Sequence, residues 1–346
     1  MNTSNIAFSS IIDQLSQKQN LSQRVSYDLF NQILLNKMNP YQISSLLTAL
    51  KMKGESDSEL LGAIQSILTL RTPFPKRDDL VKNFVIADCC GTGGDEQNTL
   101  NVSTAVAFIA STQSIKIAKH GNKAVSSQCG TSDILSALGI DILHTPKQAY
   151  QQLMNCDLTF LHAPHYHPHV KSVSEVRNQL SIRTIFNLMG PLINPVQPPF
   201  QLIGVYDPQY TFLFAKLLSQ QGVERALIIH GGGTDECAIH DRTIGHLVEN
   251  NEITPFTLTP EAVGLKRYAL NDIRGQDILF NKQALLDLLM GKGTEAYRAV
   301  VALNTGALFM ITGVTQTIKQ GVELAQNILA SDLGYQKLLQ MRDIKC

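Results

Sequence analysis

Apolar residues in the first 72 positions recur at helical spacing. The spacing is clearest in three groups: Val25, Leu29, Phe30, Ile33 and Leu34; Ile43, Leu46, Leu47 and Leu50; and Leu60, Leu61, Ile64, Ile67 and Leu68. Asn39 followed by Pro40 is typical of a helix N-cap with proline in the first turn, and Gly54 is typical of a helix end. The pattern predicts an all-helical segment over residues 1–72. An outward apolar stripe would either form a subunit contact or pack on the rest of this chain.

The pattern changes after Thr72-Pro73-Phe74-Pro75, whose prolines predict an extended linker. Predicted strands lie near Phe84 to Ala87, Ile115 to Ala118, Leu158 to Phe160, Leu202 to Val205 and Ala226 to Ile229. Predicted helices occupy 104–112, 131–138, 147–154, 210–220 and most of 283–342. This alternation predicts an α/β domain, a central sheet flanked by helices, in which the loops after the strands carry the site. The stretch Ser172 to Asn194 interrupts the alternation with a helical pattern and rigid turns.

Charge and cysteine content narrow the classes of function. The 29 basic residues balance 29 acidic ones, so a general polyanion-binding surface is not expected and a phosphate would need a local group of charges. Six cysteines occur without a C-x-x-C pair, which predicts a reducing compartment and no disulfide framework. The N-terminus has no signal-peptide pattern, and no apolar run approaches the roughly 20 residues of a membrane helix. We therefore expect a soluble, cytoplasmic protein with no membrane or nucleic-acid partner.

A glycine-rich turn between the first predicted strand and the next helix has the composition of an anion site. In Asp88 to Thr104, DCCGTGGDEQNTLNVST, the residues Gly91, Gly93 and Gly94 can adopt positive φ and expose backbone N–H groups. Ser103 and Thr104 add hydroxyls at the positive end of the following helix. The spacing is that of neither a P-loop nor a dinucleotide fingerprint. Taken alone, the turn fits a phosphate cradle or a simple tight turn.

The next predicted strand ends in a positively charged turn, Lys119-His120-Gly121-Asn122-Lys123. Because adjacent parallel strands end at one edge of a sheet, we expect this turn to lie beside the glycine-rich one and to favour an anion. In isolation the same residues would fit a solvated loop. A hydroxyl-rich segment, 126–133, follows, and Thr131 or Ser132 is predicted to cap the next helix.

Two neighbouring acids follow the last predicted strand, in His230-Gly-Gly-Gly-Thr-Asp235-Glu236. Mg²⁺ takes one or two carboxylates and completes its shell with water and phosphate oxygens, so this pair suits Mg²⁺. Adjacent acids are also common on surface turns. A phosphate cradle in the same sheet favours the metal.

A histidine-rich stretch, His162-Ala-Pro-His-Tyr-His-Pro-His169, suggests zinc at first sight. The prolines predict an irregular loop instead of ligands on one helix face, and no cysteine pair stands nearby, so zinc is not expected. We expect one or two imidazoles and Tyr166 to face a planar substrate. Arg177 and Arg183 follow, and either could bind a carboxylate or form a surface or interdomain salt bridge.

Five motifs in fixed order carry a resemblance to a known family. They are DCCGTGGDEQNTLNVST, KHGNKAVSSQCGTSD, YHPHVKSVSEVRNQLSIRT, GPLINP and HGGGTDE. Together they resemble the anthranilate phosphoribosyltransferases of tryptophan biosynthesis, and the resemblance covers nearly the whole chain. It implies transfer of phosphoribose from 5-phosphoribosyl-1-pyrophosphate to the amino group of anthranilate, with Mg²⁺, two ions in all, and release of pyrophosphate.

The resemblance also implies a domain division and partners. Residues 1–72 with 172–194 would form a small helical domain that makes a homodimer. Residues 76–171 with 195–346 would form the α/β domain that binds phosphoribosyl pyrophosphate. A glutamine amidotransferase or anthranilate synthase partner would be a separate chain.

Site residues follow from the matching motif positions. Phosphoribosyl pyrophosphate would be bound by Gly91, Gly94, Asp95, Thr99, Asn101, Ser103, Thr104, Lys119 and Ser127. Anthranilate would be bound by Gly91, His120, Asn122, His167 and Arg177, with Arg177 facing its carboxylate. Ser103, Asp235 and Glu236 would hold metal, and Lys119, Asp235 and Glu236 would be catalytic. One departure is Lys123, where the family commonly has arginine, which bears on how firmly one phosphate oxygen is held.

Two rival functions remain at this point. A pyrimidine-nucleoside phosphorylase is similar in fold, but its glycine and lysine motifs differ from GTGGD and KHGN. A non-catalytic, nucleic-acid-binding relative is disfavoured by the intact motifs and the zero net charge.

Overall fold

The computed structural model describes residues 7–122 and 130–343. In chain order the helices are α1 (Phe8–Ser16), α2 (Gln23–Leu34), α3 (Pro40–Lys53), α4 (Asp57–Thr69), α5 (Arg77–Asn83), α6 (Val102–Ala110), α7 (Thr131–Ala137), α8 (Pro146–Cys156), α9 (Ala163–Tyr166), α10 (Ser174–Leu180), α11 (Ile185–Met189), α12 (Tyr210–Gln220), α13 (Ile278–Leu289), α14 (Glu295–Ile311), α15 (Ile318–Leu329) and α16 (Leu333–Asp343). The strands are β1 (Ile86–Gly91), β2 (Lys116–Gly121), β3 (Leu158–His162), β4 (Phe200–Gly204), β5 (Arg225–Gly231), β6 (Thr243–Glu249) and β7 (Glu252–Leu258).

The chain forms two compact units. The first contains the residues up to Pro73 together with Ala163–Pro195, and the second contains Phe74–His162 and the residues from Val196 onward. The returning segment of the first unit thus begins at Ala163 and not at the predicted residue 172. The reason is that residues 163–173 form α9 and a 3₁₀ turn that packs on α2, instead of an irregular loop after β3.

Local sequence signals set the helix ends in the first unit. The Asn39 side chain caps α3 by accepting a hydrogen bond from the backbone N–H of Gln42 at 3.0 Å, and Pro40 occupies the first turn. Gly54 ends α3 with a φ of 88°. The predicted start and end of this helix are therefore confirmed.

A buried ion pair joins α3 to α4. Lys53 Nζ lies 3.0 Å from Glu59 Oε2, with only 3% and 0% of the two side chains exposed. The Glu59 carboxylate also accepts hydrogen bonds from the backbone N–H groups of Leu21 at 2.8 Å and Ser56 at 2.9 Å. Its charge is therefore compensated on all sides.

We expect Glu59→Leu to lower the free energy of unfolding by about 3 kcal/mol or more, because it leaves the buried Lys53 ammonium without its counter-charge and the N–H groups of Leu21 and Ser56 without their acceptor. Urea unfolding followed by circular dichroism measures the change. Asp28→Asn is the control: it breaks the exposed Arg24–Asp28 pair and should cost less than about 1 kcal/mol. Equal effects of the two substitutions would contradict this account of the buried pair.

The second unit contains a seven-stranded sheet with the order β3-β2-β1-β4-β5-β6-β7. The strands from β3 to β5 in this order pair in parallel, and β6 and β7 continue the sheet antiparallel. Each of the five predicted strands is present, although β1 begins at Ile86 instead of Phe84 and continues to Gly91. β6 and β7 were not predicted, because β6 mixes His246 and Gly245 with apolar residues and β7 is an edge strand that contains Pro255.

The core of the second unit is built around α6 and α14, which pack on each other and on the sheet. Nearly every residue of α14 from Ala296 to Ile311 is buried, as expected for a helix that is apolar on all sides. β1 has β2 on one side and β4 on the other, so the direction of winding reverses there. Ligands of open α/β sheets bind at the carboxyl ends of the strands at such a point.

Among the described residues, Cys89, Cys90, Cys156 and Cys237 are free thiols. No helix in this part of the chain has both the length and the apolar character needed to cross a membrane.

Candidate active site

Three turns singled out in the sequence lie at one edge of the sheet. β1 ends at Gly91, β2 at Gly121 and β5 at Gly231, and these strands run parallel within the order β2-β1-β4-β5. The glycine-rich turn, the positive turn and the acid turn therefore follow the carboxyl ends of nearby strands. The expectation that they share an edge is confirmed.

The acid turn lies directly against the glycine-rich turn. Asp235 Oδ2 accepts a hydrogen bond from the backbone N–H of Gly93 at 2.7 Å. Gly93 and Gly94 have φ values of 64° and 80°, as predicted for a turn that exposes N–H groups. This arrangement brings a carboxylate to a backbone donor of the predicted anion cradle.

Two strand-end glycines make this approach possible. A Cβ atom on Gly91 would overlap the Asp235 carboxylate, and one on Gly204 would overlap the Asp235 backbone carbonyl. Gly91 lies in β1 and is absent from the residues with positive φ, so the prediction that it uses positive φ is wrong. It is needed because the acid turn passes too close for any side chain.

Three carboxylates concentrate negative charge at this edge. Burial raises the pKa of Asp235 to about 6, helped by the Asp95 carboxylate and opposed by the Gly93 hydrogen bond. Burial and the neighbouring Asp235 also hold the pKa of Glu236 well above its usual range, while Lys119 and a hydrogen bond from the Ser103 backbone oppose the shift. A group of carboxylates that repel one another in a half-buried place favours a bound cation.

Lys119 lies beneath the glycine-rich turn. Its side chain is buried, and Nζ donates a hydrogen bond to the backbone carbonyl of Cys89 at 2.9 Å. Burial alone would lower the pKa of Lys119, but the negative charges around it, among them the carboxylates of Asp88 and Glu236, raise it. The Lys119 ammonium therefore stays charged and partly compensates the negative charge of the nearby carboxylates.

A small recess at the sheet edge gathers the predicted metal ligands. Its lining includes Ser103, Asp235 and Glu236, together with Cys89, Gly91, Gly204 and Asn304. Within the described residues there is no group of three or more His, Cys, Asp or Glu side chains that could hold a metal ion. An acid pair beside a serine hydroxyl is an oxygen-only set that fits Mg²⁺, which takes further ligands from water and phosphate.

The rest of the glycine-rich loop is held by a segment that the sequence did not single out. The backbone N–H of Leu100 donates to Ile273 O at 2.9 Å, and that of Gly275 donates to Asn98 O at 2.7 Å. Thr99 forms a β-bridge with Arg274. These bonds join positions far apart in the chain, so no local signal could have revealed them.

The start of α6 is fixed on two sides. Asn101 precedes the helix, and its carbonyl accepts a hydrogen bond from Tyr297 Oη at 3.3 Å. Thr104 is buried in the first turn, with its hydroxyl 3.4 Å from that of Thr131. Thr131 is itself the first residue of α7, whose N-cap is Gly130, so the prediction that Thr131 or Ser132 is the cap is wrong.

The residues predicted to bind anthranilate divide between the two units. In the second, the His120 side chain is buried and its backbone N–H donates to Asp88 Oδ1 at 3.3 Å, whereas Asn122 is exposed after β2. In the first, His167 is buried with Nε2 2.9 Å from Ile193 O. Arg177 is half-buried with its guanidinium 5.3 Å from the centre of the Phe186 ring.

Two details correct the expectations for the histidine-rich stretch. The predicted irregular loop contains α9, and His162 is the last residue of β3, with Nδ1 3.2 Å from Ser132 Oγ. Tyr166 is 1% exposed and belongs to the core, so it does not present its ring at a surface. Ser127 and Lys123, also named in the sequence, lie outside the described residues.

The chain is similar over most of its length to proteins of one known family. The helical bundle domain of the glycosyl transferase family matches residues 9–70, and its a/b domain matches residues 83–333. An anthranilate phosphoribosyltransferase of Colwellia psychrerythraea is 40% identical over 331 residues, which is 96% of this chain and 90% of the relative. The crystal structure of the Thermus thermophilus enzyme of the same name superposes with a TM-score of 0.87 at 32% identity, covering 96% of this chain and 98% of that one. The Saccharomyces cerevisiae enzyme in complex with PRPP and Mg gives 0.86 at 27% identity, covering 97% of each chain.

Proposed function

The chain belongs to the anthranilate phosphoribosyltransferases of the glycosyl transferase family, and from this premise we infer its reaction. It transfers the phosphoribosyl group of 5-phosphoribosyl-1-pyrophosphate to the amino group of anthranilate. The products are N-(5-phosphoribosyl)anthranilate and pyrophosphate, in tryptophan biosynthesis. The observation that carries this proposal is the bond between Asp235 of the acid turn and Gly93 of the glycine-rich turn, above the buried Lys119.

We propose that the second unit binds the phosphoribosyl pyrophosphate. Asn101 directly precedes α6, and Ser103 and Thr104 lie in its first turn. Gly93 and Gly94 of the preceding loop have positive φ, and with Asp95 and Thr99 they belong to the proposed set. Backbone donors and a helix N-terminus favour an anion there. Gly91 and Ser127 complete the proposed set.

The proposed reaction does not use a nucleophile from the protein. The amino group of anthranilate is neutral and attacks directly, so no activated serine or cysteine is needed. This agrees with Cys89 and Cys90, whose thiols are kept protonated because burial raises their pKa values. The rate then depends on holding the two substrates in line and on stabilising the leaving group.

Negative charge builds on the diphosphate as its bond to the anomeric carbon breaks. Lys119 and the glycine-rich amides would stabilise that charge without having to reorganise. Mg²⁺, when bound, supplies further positive charge to the departing diphosphate. We propose that two Mg²⁺ ions bind in all, and that Asp235, Glu236 and Ser103 hold them.

We propose that Arg177 binds the carboxylate of anthranilate and that Gly91, His120, Asn122 and His167 line the aromatic ring. Arg177 is partly desolvated over Phe186, which lowers its pKa while leaving it a cation. A guanidinium in such a place can form a bidentate pair with a carboxylate.

Arg177→Lys is expected to raise KM for anthranilate about tenfold to a hundredfold, because an ammonium cannot reproduce the two parallel hydrogen bonds. KM for phosphoribosyl pyrophosphate should stay unchanged. Steady-state kinetics with each substrate varied in turn measures both values. An unchanged KM for anthranilate would remove Arg177 from the site.

Gly204→Ala is expected to lower kcat by about a hundredfold, because the added Cβ would push the Asp235 backbone away from β1 and β4. Gly190→Ala is the matched control, since a Cβ there meets no atom within 4 Å. Turnover and circular dichroism spectra of both variants test this. Similar turnover in the two variants would show that the position of the acid turn does not matter.

The remaining proposals concern assembly and location. We propose that the helical unit forms a homodimer, which is supported by Tyr41 and Met52 of α3 being 85% and 81% exposed. A separate anthranilate synthase chain with glutamine amidotransferase activity is a proposed partner. The free thiols support a cytoplasmic location.

The proposed reaction is tested by mixing the purified protein with anthranilate, phosphoribosyl pyrophosphate and Mg²⁺. We expect the fluorescence of anthranilate to fall in step with pyrophosphate release, and EDTA to stop both. Two further arms use thymidine or uridine with phosphate, and single-stranded nucleic acid at varied salt. Phosphorolysis, or salt-dependent binding without pyrophosphate release, would replace the proposal with one of the two rivals.

A further inference from the structure

Asn304 is a fully buried polar residue in the middle of α14, with 0% of its surface exposed. Its Oδ1 accepts a hydrogen bond from the backbone N–H of Cys237 at 2.8 Å. Its Nδ2 donates to the carbonyl of the same residue at 3.1 Å and to Val300 O at 2.9 Å. The side chain therefore binds both backbone groups of the residue that follows Asp235 and Glu236.

Burying an asparagine side chain is unfavourable unless the hydrogen bonds of its amide are made, so a buried asparagine indicates a specific structural role. The neighbours of Asn304 on α14 are mostly apolar, and a leucine would fit that pattern. Two of its three bonds go to the acid turn and only one to its own helix. The Asn304 side chain therefore serves mainly to hold the acid turn.

The bonds of the acid turn show what this contact adds. Thr234 Oγ1 donates to Gly231 O at 2.7 Å, which closes the turn before the acids. The backbone N–H of Ala238 donates to Thr243 Oγ1 at 2.9 Å, which ties the chain to β6 after them. Both bonds join residues that are close together in the sequence. Asn304 attaches the peptide groups directly after Glu236 to a rigid helix of the core.

The same helix also holds the residue that directly precedes α6. Tyr297 lies two turns before Asn304 on α14, and its hydroxyl donates to the carbonyl of Asn101. Asn101 directly precedes α6, which carries Ser103. Ser103, Glu236 and Asn304 all line the recess, so α14 holds both the chain directly after the acid pair and the start of the helix that carries Ser103.

We propose that Asn304 is a positioning residue that sets the geometry of the Asp235–Glu236 cation site, with α14 as the common reference for this pair and for Asn101. The inference deepens the proposed function and rests on it for the identity of the reaction. A cation site needs its ligands held to within about half an ångström, and such accuracy comes from bonds to rigid elements. The asparagine itself touches neither substrate nor metal in this role.

The test compares Mn²⁺ binding, followed by electron paramagnetic resonance, in the full-length wild type and in Asn304→Leu. Loss of groups that orient metal ligands weakens metal binding about tenfold to a hundredfold, and we expect a shift of that size. In transfer assays the Mg²⁺ concentration for half-maximal rate should rise in parallel, while KM for anthranilate stays unchanged. A residue needed only for stability would not change the metal affinity of the folded protein.

Thr305→Val is the matched control. Thr305 is the next residue on α14, is equally buried, and its Oγ1 finds no hydrogen-bond partner among the described residues. Its Mn²⁺ affinity should equal that of the wild type. If Asn304→Leu does not fold, Asn304→Ala carries the same expectation, because water can then reach the Cys237 peptide groups.

Mn²⁺ affinity that is the same in the wild type and the folded Asn304 variants, or no Mn²⁺ binding by the wild type, overturns the positioning role. The Mn²⁺ titration does not depend on catalysis. A wild type whose Mn²⁺ affinity requires Asn304 but which transfers no phosphoribose to anthranilate would overturn the proposed function while supporting the positioning role.

Discussion

Replacing both site acids, by Asp235→Asn with Glu236→Gln, is expected to lower kcat/KM for phosphoribosyl pyrophosphate by about a thousandfold or more. The amides keep the shape of the acid turn, and the amide oxygen introduced in place of the Asp235 carboxylate can still accept the hydrogen bond from Gly93. What the two substitutions remove is the negative charge that we propose holds a divalent cation at the diphosphate. The loss should therefore appear in steady-state kinetics at saturating anthranilate, while circular dichroism stays unchanged.

The same double variant is expected to be more stable than the wild type at pH 7. The folded-state pKa of Asp235 is about 6, above the ordinary value of 3.8, so between these values the folded protein binds more protons than the unfolded one. Wild-type stability contributed by this group is then present at low pH and is lost as pH rises through 6. Without metal, the gain in melting temperature should be larger at pH 7 than at pH 4.

Asp241→Asn is the control for both measurements. Asp241 follows the acid turn closely in sequence but is 60% exposed and lies 3.8 Å from Arg267. Its removal should change neither turnover nor the pH dependence of stability. If the double variant retains wild-type turnover, or if its melting temperature falls at pH 7, the acids do not form a strained cation site.

Lys119→Met is expected to lower kcat by about a hundredfold to a thousandfold, which is the usual effect of removing one preorganised group that stabilises developing charge. Methionine keeps most of the buried volume and removes the ammonium that lies under Cys89 and close enough to influence Glu236. Pre-steady-state measurement of pyrophosphate release separates this effect from slow product release.

Lys116→Met is the matched control for Lys119. Lys116 is a buried lysine on the same strand, but it lies at the amino end of β2 and pairs with Asp157 at 2.8 Å. Its loss should reduce stability and leave the chemical step unchanged. If the two variants show the same kinetics, Lys119 has only a structural role.

Much of the fold is visible in the sequence because its signals are local. The helices of the first unit show regular apolar spacing and a cap at Asn39, and α12 lies where it was predicted, at residues 210–220. The parallel strands are short apolar runs between turns, so they are found although their ends shift by a few residues. α5, β6 and β7 are missed because α5 is short and charged and the two strands lack a clear apolar pattern.

Some residues of the candidate site can likewise be recognised from the local sequence, and others cannot. The glycine-rich turn and the Asp235-Glu236 pair can be recognised because each is a compact run of unusual residues. Asn304 and Tyr297 cannot be recognised in this way, because their hydrogen-bond partners lie 67 and 196 positions away in the chain, respectively. Gly204 is one residue of a predicted strand, and its importance becomes clear only when the Asp235 backbone is seen above it. Local composition reveals the groups that we propose carry out the chemistry, and long-range packing decides which residues hold them in place.

The central claim is that the acid pair, the glycine-rich turn and Lys119 act on one diphosphate. Phosphorus NMR of phosphoribosyl pyrophosphate bound to the protein, with Mn²⁺ added in place of Mg²⁺ and anthranilate omitted, tests it most directly. We predict that Mn²⁺ broadens the two diphosphate resonances more strongly than that of the 5′-phosphate, and that this broadening is lost in the Asp235→Asn, Glu236→Gln variant. Equal broadening of all the resonances, or the same broadening in that variant, would contradict the account.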